Sequence, residues 1–406
     1  MSQSVPSSVT PSAVLPRQSE PAGFTIREIT SAADKLRFIK FPWEIYKGDP
    51  YWVPPFISER VDFLNPKKNP SFEHMEVALF LAEKPGSSGR LQIIGTIAAL
   101  INHRHNQFHG EKVGFFGLFE VINNQEVACA LLETAEAWVK QHLPEATAIR
   151  GPMNFSTNDE CGTLIDGFEA RPVVFMTYNP PYYPKLIESA GYGTGMDLYA
   201  YAMETAKFFE PDNPFLQKLE RVVKVVRQRY KLTIRPANLK NLKAEMLRLK
   251  GIYNSAWEHN WGFVPVTNAE MEHLAEGIVK FVDPRLVFFV EKDGEPVAFG
   301  LTVPDVNIPV QKANGRLFPI GWLRFLLARR KIDWVRVFAM GVKEEYRNMG
   351  VDALIYYETA KAAAALGYKY AESSWILANN TMMNNSLINI GFKVYKTYRV
   401  YEKALA

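Results

Sequence analysis

Apolar and polar positions alternate in twos over Phe24-Thr25-Ile26-Arg27-Glu28-Ile29, the spacing of a half-buried strand, and regular structure is predicted to begin there. A helical spacing follows from about Ala32 to Ile39. The segment Asp49-Pro50-Tyr51-Trp52-Val53-Pro54-Pro55-Phe56 cannot continue a helix, because each proline lacks a donor and restricts the residue before it. Two apolar runs, Val77 to Glu83 and Leu91 to Ile101, flank Lys84-Pro85-Gly86-Ser87-Ser88-Gly89 and read as a hairpin. A strand near Val113 to Phe119, a helix from Gln125 to His142, a short strand at Thr147 to Arg150, a helix from Tyr182 to Gly191 and a strand from Asp197 to Met203 complete the first half.

The same order then starts again. After a connecting helix from Pro214 to about Tyr230 come a strand at Leu232 to Pro236 and a helix from Leu239 to Trp257. A hairpin over Leu286 to Val303 turns at Asp293-Gly294-Glu295-Pro296. A strand from Trp334 to Val342, a helix from Met349 to Gly367, a strand from Tyr368 to Trp375, a helix from Thr381 to Ile390 and a strand from Tyr395 to Glu402 follow. The pattern divides the chain into a disordered tail (1–22), a first domain (23–205), a connecting helix (206–231) and a second domain (232–406) with an insertion at 306–331.

Composition narrows the class. With 406 residues, 47% hydrophobic and 22% charged, the chain is an ordinary globular protein of two-domain length. A formal net charge of +4 suits an anionic cofactor or membrane surface and does not point to nucleic acid. Cys129 and Cys161 are the two cysteines, and no Cys/His spacing suggests a metal site, so a reducing cytoplasm is expected. The Ser- and Pro-rich start lacks the basic-then-apolar order of a secretory signal, and no apolar run is long enough to span a bilayer. Any membrane association is expected to be peripheral.

The chemistry is concentrated in Phe338-Ala339-Met340-Gly341-Val342-Lys343-Glu344-Glu345-Tyr346-Arg347-Asn348-Met349-Gly350-Val351-Asp352. A strand delivers the chain to a glycine turn and an Ala-rich helix leaves it, so backbone N–H groups converge beside a positive helix end, a seat for a diphosphate. This stretch resembles the GNAT acyltransferases, whose cofactor motif is Arg/Gln-x-x-Gly-x-Gly/Ala with a frequent Val-x-x-x-x-Arg approach; Val342, Arg347 and Gly350 match it. Asp352 departs from it, placing a carboxylate where the motif ends in a small residue. The resemblance covers about Leu232 to Lys403, including the Gly391-Phe392 end of the last helix, and more weakly Phe24 to Met203.

The resemblance implies an α/β fold of two tandem GNAT-like domains, each a mixed, mostly antiparallel sheet flanked by helices. It implies an acyl-CoA-dependent N-acyltransferase without a metal, with Met340, Val342, Arg347, Asn348, Met349, Gly350, Val351 and Asn380 around the cofactor. In the first half Phe119-Glu120-Val121-Ile122-Asn123-Asn124-Gln125 replaces the diphosphate turn and has no glycine, so that half is expected to hold a degenerate cofactor site and to shape the acceptor pocket. Asn154, Ser156, Asn158, Asp159, Glu160 and Trp261 are the candidate pocket residues, with local loop bonding and core packing as the alternatives. The family's frequent tyrosine acid aligns with Leu387. Glu372, a carboxylate on an otherwise apolar strand, is the preferred base, with a buried ion pair as the alternative. His74 and Tyr183 are further catalytic candidates, for which packing is the competing role.

The insertion ends in Arg316-Leu317-Phe318-Pro319-Ile320-Gly321-Trp322-Leu323-Arg324-Phe325-Leu326-Leu327-Ala328-Arg329-Arg330-Lys331, without an acidic residue. Trp322 and Phe325 beside Arg329 and Arg330 are what membrane contact needs, with core packing or dimer formation as the alternative. Tandem GNAT proteins with this Gly-Pro-Met-Asn and Ser-Trp-Ile-Leu pattern are similar to bacterial proteins that N-acylate sphingoid bases, which implies a lipid amine acceptor. An amino acid, peptide or aminoacyl-tRNA acceptor is the second reading, and a non-catalytic acyl-CoA-binding protein the third.

Overall fold

Apolar side chains on both faces of the central strands leave them no solvent-facing side, and a single sheet gathers them. The computed structural model describes residues 23–87, 89–347 and 349–406; the 1–22 tail, Ser88 of the first hairpin turn and Asn348 of the glycine turn lie outside the described residues. The first half runs β1 (Thr25–Glu28), α1 (Ala32–Lys40), α2 (Pro42–Ile45), α3 (Ile57–Phe63), β2 (Met75–Pro85), β3 (Leu91–Asn102), α4 (His103–His109), β4 (Val113–Val121), α5 (Gln125–His142), β5 (Ala148–Gly151), β6 (Thr163–Asp166), α6 (Tyr183–Ser189) and β7 (Gly193–Glu204). The second runs α7 (Thr205–Phe208), α8 (Pro214–Tyr230), β8 (Leu232–Pro236), α9 (Leu242–Trp257), α10 (Asn268–Ile278), β9 (Val287–Lys292) and β10 (Glu295–Pro304). It continues through α11 (Asn307–Ala313), α12 (Gly321–Arg329), β11 (Trp334–Val342), α13 (Val351–Ala365), β12 (Tyr370–Leu377), α14 (Thr381–Ile390) and β13 (Lys393–Ala404).

The strands lie in the order β1-β2-β3-β4-β5-β13-β7-β12-β11-β10-β9-β8, with β6 pairing β13 to one side. Only β4–β5 and β11–β12 are parallel, so the sheet is mixed and mostly antiparallel. The two halves exchange their last strands. β13 pairs with β5 in the register Tyr401↔Gly151, while β7 pairs with β12 in the register Glu372↔Ala202. β7 and β13 also pair with each other, Thr397 opposite Tyr199, which welds the two lobes into one sheet. Each sequence half is therefore completed by the other.

Helices cover both faces. α5 buries Val127, Leu131, Ala135 and Trp138, at helical spacing, on one face of the first lobe. α8, α13 and α14 do the same for the second lobe, with Leu219, Val223, Leu354 and Leu387 in one apolar cluster. On the opposite face α1 and α3 cover the first lobe and α9 and α10 the second, and a cleft opens between them. The β9–β10 turn has positive φ at both Asp293 and Gly294, as the shortest hairpins require. The helices α2, α3, α4, α7, α10 and α11 and the strand β6 are additions to the pattern read from sequence; α10 starts with a reciprocal capping box between Thr267 and Glu270.

In β4 an extra residue, Leu118 at φ 46°, bulges opposite β3. Asn154 Oδ1 accepts the Leu118 N–H at 2.8 Å, and the Met153 N–H donates to Phe116 O at 2.7 Å. The loop after β5 thus lies directly on β4. A side chain at Gly117 would bring its Cβ within 2.0 Å of Met153 O. Gly117→Ala is expected to lower the denaturation midpoint by a stability loss of about 3 kcal/mol, since backbone must move to relieve the overlap; a wild-type midpoint would contradict this packing.

Candidate active site

Strands β11 and β12 pair only over Trp334–Val337 with Tyr370–Ser373. Beyond those residues they continue to Val342 and Leu377 without pairing each other, and the sheet opens into a V. The opening follows from two irregularities: Phe338 is an extra residue in β11 between the partners of Leu301 and Thr302, and β12 breaks register between Ser373 and Ile376. From the open end of β11 the chain reaches Gly350, whose φ of 79° is in the left-handed region and whose Cβ would lie 2.9 Å from Val226 Cγ2 on α8. Only glycine meets both demands cheaply.

Gly350 is also the N-cap of α13, and no side chain among the described residues caps that end. The first-turn N–H groups of a 15-residue helix are left for an anion beside the open V. Asp352 in that turn is exposed and does not cap it. The first lobe has the same plan with both features closed. Asn124 caps α5 by accepting the Val127 N–H at 3.1 Å, and the Met153–Asn154 segment fills the V between β4 and β5. The place expected to seat a diphosphate is thus open in the second lobe, and the matching place in the first is filled by the chain itself.

The open V leads into a cleft of about 1450 Å³ between the lobes. Its second-lobe wall includes Met340, Val342, Arg347, Trp375 and Asn380. The Arg347 guanidinium donates to Ser255 O and Ala256 O at 3.1 Å each, so it ties the turn to the end of α9. Asn380 accepts the Met383 N–H at 3.1 Å and caps α14. Met349, Gly350 and Val351 stand behind the cleft wall, at the turn itself. Leu387, where the family's tyrosine acid would sit, is buried in the core.

The first-lobe wall is rich in carboxyls. Glu120, near the end of β4, accepts hydrogen bonds from Tyr183 OH at 2.7 Å and Tyr46 OH at 3.0 Å, and burial raises its carboxyl from 4.5 to about 7. Tyr183 also accepts the Val121 N–H at 2.9 Å, which fixes its ring. Asp159 is raised to about 7, again by burial, despite the hydrogen bond from Ser156 Oγ at 2.8 Å. Glu160 differs: Arg60 at 2.5 Å and Asn154 Nδ2 at 3.0 Å offset the cost of burial and keep it ionised. Asn158 holds the lobes together, donating to Val264 O at 3.0 Å and accepting from Tyr253 OH at 2.8 Å. Asn154, Ser156, Asn158, Glu160 and Trp261 all line the cleft.

Glu372 takes a different place. It is fully buried, accepts hydrogen bonds from both Ser374 Oγ and Tyr395 OH, and is absent from the cleft wall. Its neighbour Arg336 donates to Ser374 Oγ at 3.1 Å, Ser374 O at 3.1 Å and Val174 O at 2.8 Å. This buried network clamps the loop before α6 onto β11 and β12. Burial pushes the Glu372 carboxyl up, against the pull of Arg336. His74 pairs with Glu270 at 3.3 Å, and it too is absent from the cleft wall. Glu120, Tyr46 and Arg60 were missed by the sequence reading, although Glu120 carries the signal that drew attention to Glu372, a carboxylate on an apolar strand.

No protein-family model matches the chain. It is 38% identical over 387 residues to Protein YghO of Escherichia coli (strain K12), covering 94% of this chain and 95% of that protein. It is 35% identical over 406 residues to the bacterial ceramide synthase of Caulobacter vibrioides (strain NA1000 / CB15N), covering 96% and 100%. Among solved structures, a tandem GNAT protein from the clavulanic acid biosynthesis pathway superposes with a TM-score of 0.54 at 10% identity, over 94% of this chain and 98% of that one. Paired lobes, each with a bulged strand and a V, define the fold as that of tandem GNAT proteins. The chain belongs to the family of the Caulobacter and Escherichia proteins, and its fold is that of tandem GNAT proteins.

The folded protein holds the Glu120 proton up to about pH 7, whereas an unfolded glutamate releases it near 4.5. Between those values the folded state binds more protons, so this group's contribution to stability falls as pH rises. Glu120→Gln is accordingly expected to melt a few degrees above the wild type at pH 8 and level with it at pH 4; a lower melting temperature at pH 8 would contradict a desolvated carboxyl.

Proposed function

We propose that this protein transfers an acyl group from acyl-CoA to the amine of a long-chain amino alcohol, the sphingoid-base class, with Glu120 as general base. The observation that carries the proposal is one continuous cleft joining the open V of the second lobe to the desolvated carboxyls Glu120 and Asp159 of the first. Two further facts support the acceptor: the cleft is lined largely by apolar side chains, and a 35% identical relative is named a bacterial ceramide synthase. Under α10 the cleft is walled by Met271, Leu274, Ile278, Phe289 and Leu301, a branch for an alkyl chain in which each buried methylene contributes about 0.8 kcal/mol. A small polar amino acid gains nothing there.

The acyl-CoA thioester supplies the activated acyl group. The first-turn N–H groups of α13 would hold its diphosphate, and the unpaired edge of β11 near Met340 and Val342 its amide-bearing arm. The acceptor arrives as an ammonium ion with three N–H bonds. Glu120 takes one proton, which frees the nitrogen lone pair for the carbonyl carbon. The C–N bond forms as the C–S bond breaks, a second proton balances the departing sulfur, and the third stays on the amide. Tyr46 and Tyr183 hold the carboxylate in place, and Arg60 paired with Glu160 keeps a second carboxylate out of the proton transfer.

Purified protein incubated with acyl-CoAs and long-chain amino alcohols, with free amino acids as controls, should yield the long-chain amide by mass spectrometry. The rate constant kcat/KM should rise with pH through about 7 as Glu120 ionises. Glu120→Gln should lower it by about 10²–10⁴-fold and abolish that limb. Acyl-CoA binding without turnover on any amine would leave a binding protein, and full activity in the variant would remove Glu120 from the chemistry.

A further inference from the structure

The insertion between β10 and β11 is anchored firmly and yet leaves its apolar side chains outside. Gln311 Nε2 donates to Pro50 O and Trp52 O at 2.9 Å each, Asn314 Oδ1 accepts Trp43 Nε1 at 3.2 Å, and Ile57 N donates to Gly315 O at 3.1 Å. The proline- and aromatic-rich loop before α3 is thus the base on which α11 and α12 stand. Above that base Phe318 is 80% exposed, Leu327 63%, Ile320 56%, Leu326 50% and Trp322 46%, with Leu317 and Leu323 close behind. Nowhere else in the described chain do exposed large apolar side chains gather so closely. Isolated exposed leucines are ordinary; a contiguous patch is an interaction surface.

The insertion itself carries one sign of charge. Arg316, Arg324, Arg329, Arg330 and Lys331 are exposed, none is in an ion pair among the described residues, and no acidic residue occurs between Asp305 and Asp333. The patch also runs into the cleft, because Leu317, Trp322, Phe325 and Leu326 are part of the cleft wall. No helix among the described residues is long and apolar enough to cross a membrane, so contact would be from the side.

We propose that this face seats on an anionic lipid bilayer, with the apolar side chains of residues 317–327 among the acyl chains and the arginines among the headgroups. A second copy of the chain fits the face poorly. A two-fold contact would set the same arginines of both copies against each other without acidic partners. Docking rests on this surface alone. Its consequence, that a lipid amine passes from the bilayer into the cleft without crossing water, rests on the function proposed above.

The test is co-sedimentation with vesicles of phosphatidylcholine alone and of phosphatidylcholine mixed with phosphatidylglycerol. Binding should favour the anionic vesicles by at least about tenfold and weaken with salt. Two variants, each changed outside the cleft wall, carry the comparison: Phe318→Ser with Leu323→Ser and Leu327→Ser, and Arg324→Gln with Arg329→Gln and Arg330→Gln. Each should lose at least about tenfold in vesicle binding while turning over a short-chain, water-dispersed amine at the wild-type rate. Equal binding to both vesicles, undiminished binding by the variants, or a solution dimer that the apolar variant dissociates would overturn the proposal. Vesicle binding without acylation of any vesicle-borne amine would uphold docking and count against the acceptor alone.

Discussion

The antiparallel pairing of β7 with β13 is the interaction on which the rest of the structure depends. Each is the last strand of one half, and each reaches across to complete the other half's sheet. Backbone groups in these central strands have no water to bond, so the ladder must be closed by a neighbour. Exchange supplies the neighbour to both lobes at once. It also fixes the angle and distance between the lobes, and so makes the space between them a permanent cleft. The buried Arg336–Ser374–Glu372–Tyr395 network reinforces the same junction from below, since it joins β11, β12, β13 and the loop before α6.

The two lobes share a plan and differ in what fills it. In the first, Asn154 and Met153 lie across the V and Asn124 caps the helix that follows. In the second, the V is open and α13 starts at Gly350, which has no side chain to cap it. Filling the first V has a chemical consequence. It places Glu120 on the cleft wall next to Tyr46 and Tyr183, in surroundings dry enough to raise its carboxyl to about 7.

Elements with a strong period and clear ends were legible in the sequence. Pro214–Tyr230 starts at an Asn213 cap with Pro at its first turn, and Gln125–His142 has apolar residues every three or four positions. Trp334–Val342 and Thr381–Ile390 were bounded by charged and glycine residues. The short helix His103–His109 was not legible, because seven residues with four ring-bearing side chains show no usable period. Strand exchange was illegible for a different reason: periodicity specifies a strand and not its neighbour. The glycine turn was read from its spacing, which could not show that Arg347 on the cleft wall also caps the end of α9 through Ser255 and Ala256. Carboxylates on apolar strands could not be ranked from sequence, because only folding shows that Glu120 meets the cleft and Glu372 does not.

Under the proposed function, donor and acceptor meet in one cleft built from both lobes. A bisubstrate compound, coenzyme A joined through its sulfur by a carbonylmethyl bridge to a long-chain amine, tests it directly by isothermal titration calorimetry. The compound is expected to bind at least about 10²-fold more tightly than coenzyme A, because both halves are held at once. An affinity equal to that of coenzyme A alone would show that the amine has no place beside the donor and would contradict a shared cleft.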